Sequence, residues 1–222
     1  MSARKLIITL DGPAGSGKST TAKKLAQRLG YAYLDTGAMY RAITLMVLRR
    51  NIDPYQSNKV ISLLKEIEID LSYESGVQKT KLNGEDVSEA IRSVDVTKSV
   101  SIISSIREVR QFLVRQQQAI GKNGGYVIDG RDAGTVIFPK ADRKFFLTAD
   151  IETRARRRQK ELEASNIVIP FNKMAEEIKA RDTFDENRDE SPLVKPADAM
   201  VIDNSYMSID EQVELMVKLI QP

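Results

Sequence analysis

The segment that most limits what this chain can become is Leu6-Ile7-Ile8-Thr9-Leu10 followed, after Asp11, by Gly12-Pro-Ala-Gly-Ser-Gly-Lys-Ser-Thr20. Gly12, Gly17, Lys18 and Ser19 fit the pattern G-x-x-x-x-G-K-[ST]. The apolar run before it reads as a strand. After it, Ala22, Leu25, Ala26 and Leu29 recur at helical spacing, with Gly30 as a stop. Strand, glycine loop and helix form the context in which this pattern binds phosphate. The glycines let the backbone curl so that successive N–H groups face phosphate oxygens, and the positive end of the helix adds to their pull. Gly12, Pro13, Ala14, Gly15, Ser16, Gly17, Lys18, Ser19 and Thr20 are therefore the expected residues of a nucleotide phosphate site. Lys18 is expected to reach the β- and γ-phosphates and Ser19 to meet Mg²⁺ through its hydroxyl. Asp129, at the end of Tyr126-Val-Ile-Asp, is a candidate partner of the metal.

The rest of the chain repeats the alternation that the first segments begin. Leu6–Leu10, Tyr31–Leu34, Tyr126–Ile128, Lys144–Leu147 and Met200–Ile202 are short apolar runs, and helical patterns separate them. Ile43, Met46 and Val47 mark a helix after Gly37; Ile209, Val213, Met216 and Ile220 mark a last one, with Ser208 or its neighbour as cap. Such alternation predicts an α/β fold: a P-loop NTPase-type core with a five-stranded parallel sheet flanked by helices. Two regions break the pattern. Between 66 and 87, Ile67, Ile69 and Leu71 alternate, Ser75-Gly76 offers a turn and Asn83-Gly84 is a strong hairpin signal, so a small antiparallel insert is expected. Between 154 and 192 the chain is dense in charge, which reads either as a mobile lid or as a solvated helix face. The expected organisation is one domain, with core 1–36, 88–153 and 193–222, an insert at about 37–87 and a lid at about 154–192.

Composition narrows the chemistry. Cysteine and histidine are both absent from the 222 residues. That excludes disulfides, thiolate metal sites, thiol nucleophiles and any mechanism that needs an imidazole. Phosphoryl transfer remains open, because it relies on positioning and charge stabilisation by Lys, Arg, backbone N–H groups and Mg²⁺. A net charge of +3 is too small to argue for nucleic acid as a partner. No apolar run approaches a membrane span, and no cleavage pattern follows the first apolar segment, so a soluble, cytoplasmic protein is expected. The phosphate loop alone does not choose among GTPases, motor ATPases and small-molecule kinases. A guanine-reading Asn-Lys-x-Asp is missing, since Asn172-Lys173-Met174-Ala175 lacks the aspartate.

Four stretches decide further. "DGPAGSGKST", "LDTGAMYRA", "DGRDAGTVIFP" and "IKARDTFDENR", in this order and spacing, resemble the bacterial-type cytidylate kinases, members of the nucleoside monophosphate kinases. The resemblance runs from about Leu6 to Leu219 and includes the β-rich insert, which is similar to that group's enlarged acceptor-binding subdomain. It implies transfer of a phosphoryl group from ATP to CMP and dCMP, with Mg²⁺, in pyrimidine nucleotide metabolism. It also implies small-molecule nucleotides as partners, and a monomer is expected. By resemblance, Thr36, Arg41, Arg131 and Arg188 contact the acceptor phosphate. Ser101, Arg110 and Asp132 read cytosine, with Asp132 accepting from its exocyclic amine. Arg181 and Asp185 hold the pentose, four positions apart on one helical face if 178–185 is helical. Lys18, Arg131, Arg188 and one of the lid arginines, Arg158 in particular, are the expected catalytic cations; Arg154 and Arg157 are the other lid candidates. Some relatives carry Gly where Ser19 stands and use the following threonine, and Thr36 replaces a serine often found there. Two alternatives stay open: a small P-loop kinase for UMP, dTMP or another acceptor, and a nucleotide-hydrolysing switch.

Overall fold

The computed structural model describes residues 4–74, 77–164 and 167–220. The turn expected at Ser75-Gly76 lies outside the described residues. Five parallel strands form the main sheet in the order β2-β6-β1-β7-β8, where β1 is Ile7–Asp11, β2 Ala32–Asp35, β6 Tyr126–Asp129, β7 Arg143–Thr148 and β8 Met200–Asp203. β1 sits between β6 and β7, with Leu10 level with Asp129 on one side and Phe145 on the other. Both faces of β1 are covered, and Ile8, Thr9 and Leu10 have no exposure. A parallel strand closed in on two sides reads as a continuous apolar run, which is why the expected strands match the observed ones to within one or two residues.

The chain divides into two compact units, Met1–Ala32 with Gly124–Pro222, and Tyr33–Asn123. In the first unit, α1 (Lys18–Leu29) starts directly from the glycine loop and ends at Gly30, whose left-handed backbone (φ 65) lets its N–H return to Ala26 and Gln27. The last helix, α8 (Ile209–Ile220), packs on α1 and carries Val213, Met216 and Ile220 inward. Ser208 caps it: its hydroxyl accepts from the Glu211 N–H, and the Glu211 carboxylate accepts from the Ser208 N–H at 2.8 Å. The charge-dense region forms two helices, α6 (Ile151–Glu163) and α7 (Phe171–Asn187), packed on each other.

The second unit has its own core. It is built from α2 (Thr36–Arg49), α3 (Ser57–Leu63), α4 (Val94–Ser105) and α5 (Arg107–Gly121), with buried Met39, Ile43, Val60, Ile103 and Leu113. Its antiparallel sheet has the order β3-β4-β5, where β3 is Ile69–Glu74, β4 Val77–Leu82 and β5 Glu85–Asp86. Asn83 and Gly84 join β4 to β5 with φ of 50° and 84°. Two consecutive positive φ values are what a tight hairpin turn demands, and Asn-Gly supplies them with least strain. The neighbouring helices α3, α4 and α5 have no comparably sharp sequence signal.

Candidate nucleotide-binding and phosphoryl-transfer site

The phosphate loop is fixed from below by close backbone packing. Gly12 has φ 150, and a Cβ there would lie 2.1 Å from the Leu147 carbonyl oxygen, so only glycine fits between β1 and β7. Gly17 then turns the chain left-handed (φ 83) into α1. Lys18 is buried and curls back over the loop, donating to the Pro13 carbonyl at 2.7 Å and to the Ser16 hydroxyl at 3.3 Å. The Ser19 hydroxyl donates to the Asp129 carboxylate. Asn204, fully buried after β8, ties the loop from the other side by donating to the Ser16 carbonyl at 2.8 Å.

Around the loop the first unit collects buried charge. Burial, and after it the Arg131 guanidinium, push the Lys18 ammonium down to about 7 against the pull of Asp129, Asp11 and Asp185. Burial also lifts the Asp11 carboxyl to about 7, although both of its oxygens accept backbone N–H groups, from Ala133 at 2.8 Å and Gly134 at 2.7 Å. Those two residues follow Asp132 directly, so Asp11 fixes the Gly-Arg-Asp turn to the strand that leads into the phosphate loop. Asp132 is itself buried.

Arg131 donates to Asp185 at 3.0 Å. Burial works against its charge, but Asp185 and Asp129 more than offset that and hold it above the ordinary arginine value. Burial likewise opposes the charged form of Asp185, and Arg131, Arg181 and Arg188 overcome it, keeping the carboxyl below its usual range. Arg188 lies 3.9 Å from Asp185 and donates to the Ser191 carbonyl at 2.7 Å. Lys18, Arg131, Asp185, Arg181 and Arg188 thus share one electrostatic neighbourhood. The expected helix over 178–185 lies inside α7.

The second unit holds the other expected acceptor residues. Thr36 opens α2, whose Asp35 cap accepts from the Ala38 N–H at 3.0 Å. Arg41 donates to the Thr97 hydroxyl at 2.8 Å and to the Ile91 carbonyl at 3.4 Å. Arg110 on α5 is buried, donates to the Ser104 carbonyl at 2.9 Å and stacks over the Tyr40 ring at 5.2 Å. Ser101 is half-buried on α4, and its carbonyl accepts from the Ser104 hydroxyl.

Arg154, Arg157 and Arg158, the lid candidates on α6, have different partners. Arg154 points into the phosphate loop, donating to the Ala14 carbonyl at 3.0 Å and to Asp182. Arg157 donates to Asn204 at 2.8 Å through two of its nitrogens. Arg158 pairs with Glu161 at 2.9 Å. Asp11, Asp182, Asn204 and Tyr40 were not singled out as site residues from sequence. Asp11 had a signal, since it directly precedes Gly12, and Asp182 lies between Arg181 and Asp185; Asn204 and Tyr40 had none.

Ser19 and Asp129 bring a hydroxyl and a carboxylate together at the loop, hard oxygen donors that fit Mg²⁺. Among the described residues there is no group of three or more His, Cys, Asp or Glu that could hold a metal.

A protein-family model described as "Cytidylate kinase" matches residues 8–222. The chain is 47% identical over 214 residues to the cytidylate kinase of Caldanaerobacter subterraneus subsp. tengcongensis, covering 96% of this chain and 94% of the relative. It is also 47% identical over 218 residues to the bifunctional pantoate ligase/cytidylate kinase of Synechococcus sp., covering 97% of this chain but only 45% of that longer protein. Among solved structures, shikimate kinase from Bacteroides thetaiotaomicron superposes with a TM-score of 0.50 at 14% identity, over 98% of this chain and 99% of that one, a likeness of fold alone.

Proposed function

This chain belongs to the cytidylate kinase family, and we propose that it transfers the γ-phosphoryl group of ATP to CMP and dCMP through the residues described above. The products are ADP and the cytidine diphosphates. The observation that carries the assignment of residues is the array in which buried Lys18 and Arg188 and half-buried Arg131 and Arg181 share buried Asp185 as a common neighbour. An array of this kind suits a reaction that must bring two anionic nucleotides together.

An oxygen of the acceptor phosphate attacks the γ-phosphorus in line, the bond to the β-phosphate oxygen breaks, and ADP leaves. Backbone N–H groups from Gly15 to Thr20 and the Lys18 ammonium hold the donor phosphates, while the Ala14 N–H is taken by Asp182. Arg131, Arg188, Thr36 and Arg41 are the residues assigned to the acceptor phosphate, and Arg158 is the α6 cation assigned to the transferred group. A guanidinium grips a phosphate through two parallel N–H groups, which fixes direction as well as charge. The acceptor is already anionic near neutral pH, so no general base is needed. Arg181 and Asp185 take the pentose; Ser101, Arg110 and Asp132 take the base, with the insert at about 37–87 shaping the acceptor side. Mg²⁺, held by Ser19 with Asp129 behind it, would neutralise charge developing between the β- and γ-phosphates.

Cytosine carries an amine where uracil carries a carbonyl. A buried Asp132 carboxylate can accept from the amine and meets a second acceptor in the carbonyl, which disfavours UMP. The test is ADP release measured with ATP and each monophosphate. CMP and dCMP should be used best, and Asp132→Ala should lower kcat/KM for CMP by about 10- to 100-fold with little change in KM for ATP. A preference for UMP would overturn the base assignment, and ADP release at the same rate without any acceptor would favour a nucleotide-hydrolysing switch.

A further inference from the structure

Ala14, the third residue of the phosphate loop, is half-buried and is held through its N–H, its carbonyl and its methyl by the α6–α7 pair. Its N–H donates to the Asp182 carboxylate at 3.0 Å, and its carbonyl accepts from Arg154 at 3.0 Å. Arg154 also donates to the second oxygen of Asp182, and its Nε reaches the Ala149 carbonyl at 3.0 Å. The Ala14 methyl packs into the apolar cluster that joins the two helices, with Ala155 of α6 and Met174 and Ile178 of α7. The next residue is just as confined, since a Cβ at Gly15 would lie 3.0 Å from the Arg154 carbonyl oxygen. Both Arg154 and Asp182 are buried, so these contacts are shielded from water.

The two peptide groups that flank Ala14 are therefore locked by a carboxylate on one and a guanidinium on the other. Their planes set the course of the chain into Gly15, Ser16 and Gly17, and with it the aim of the N–H groups that must face phosphate oxygens. A carboxylate beside a phosphate site would repel the ligand on its own; the Arg154 pair cancels that charge. Asp182 also stands between Arg181 and Asp185 on α7, the helix assigned to the acceptor's pentose.

The geometry points to Asp182 as a positioning residue for the phosphate donor: with Arg154 it clasps the Ala14 peptide groups, pre-shapes the loop and thereby sets the affinity for ATP. The inference rests on residues 12–20 being the ATP loop. The loop is thus footed on α6 and α7 as well as on the sheet. A loop that must find its shape upon binding loses part of its affinity to that ordering, and a pre-shaped one does not.

Steady-state kinetics on Asp182→Ala and Asp182→Asn test this, alongside Lys18→Ala as a separate check of the donor site. Asp182→Ala should raise KM for ATP about tenfold or more, the scale of a lost charge-assisted hydrogen bond, with KM for CMP changed less than about threefold. Asp182→Asn keeps an acceptor for the Ala14 N–H but loses the ion pair, and should give a smaller rise in the same constant. If Asp182→Ala does not fold, Asp182→Asn alone decides. A KM for ATP equal to wild type in the folded variants overturns the clasp, as does a fall in kcat with both KM values unchanged, the mark of lost folded protein. Wild-type turnover in Lys18→Ala would instead overturn the reading of the loop on which the clasp depends.

Discussion

Asp11 shows how one buried carboxyl can shape a site through the backbone groups it holds. It accepts from Ala133 and Gly134, and Gly134 has no room for a side chain, since a Cβ there would stand 2.9 Å from the Thr9 hydroxyl and 3.2 Å from Asp11 itself. Burial raises its folded pKa to about 7, with Asp132 adding to the rise and the two N–H groups and Lys18 opposing it. The unfolded carboxyl titrates near the ordinary value of about 3.9. Between those two values the folded protein keeps a proton that the unfolded chain has released. The contribution is therefore fully present below about pH 4 and is lost as pH rises through about 7. Asp185 runs the other way: its folded value is depressed, so its contribution is lost as pH falls. The sign for Asp11 is best read as a difference. In urea melts from about pH 5 to pH 8, Asp11→Asn should remove a fall in stability that the wild-type protein shows across that range. Parallel pH profiles for the two proteins would refute the assignment.

At the scale of elements, local sequence and tertiary context contribute unequally. The final helix α8 begins with a reciprocal cap between Ser208 and Glu211, the kind of end that sequence announces. Ser208→Ala should cost about 1 kcal/mol of stability without changing either KM, as denaturant unfolding and initial rates can check. The Asn83-Gly84 hairpin was equally legible, because a two-residue turn has few residue pairs that suit its positive φ values. The α6–α7 pair was not. Its charge run by itself favours a solvated helix face over a lid, and which arginine meets the loop depends on packing. Arg154, Arg157 and Arg158 lie within five residues of one another, yet one clasps Ala14, one holds Asn204 and one pairs with Glu161. The helix rotation that sends Arg154 inward is set by the apolar contacts of Ala155 with Met174 and Ile178.

For the whole molecule, the two units each carry an apolar core and a share of the residues assigned to nucleotide binding. The first holds the phosphate loop and the Arg131–Asp185–Arg188 array, and the second holds Thr36, Arg41 and Arg110. Among the described residues no helix is long and apolar enough to cross a membrane. A ligand that binds only the folded chain stabilises it by RT ln(1 + [L]/Kd), about 2.7 kcal/mol at a hundredfold excess over Kd. CMP should therefore raise the unfolding temperature more than UMP at equal concentration. ATP should do so as well, and less in Asp182→Ala. A thermal-shift series with each nucleotide checks this, and a larger shift with UMP would contradict the assigned role of Asp132.

The sequence by itself determined the parallel core, the phosphate loop and the family, because each depends on local pattern. A strand buried on both faces must be apolar throughout, a loop that curls around phosphate must place glycines at fixed positions, and four motifs in order exceed chance. Only the tertiary structure decided which charges meet. Asp11 is joined to Ala133 across more than a hundred residues, Asp182 to Ala14 likewise, and Asn204 to Ser16. Those pairs are brought together by sheet order and helix packing, which no local periodicity encodes. In a buried, poorly screened interior such meetings set both the shape of the loop and the charge state of the groups around it.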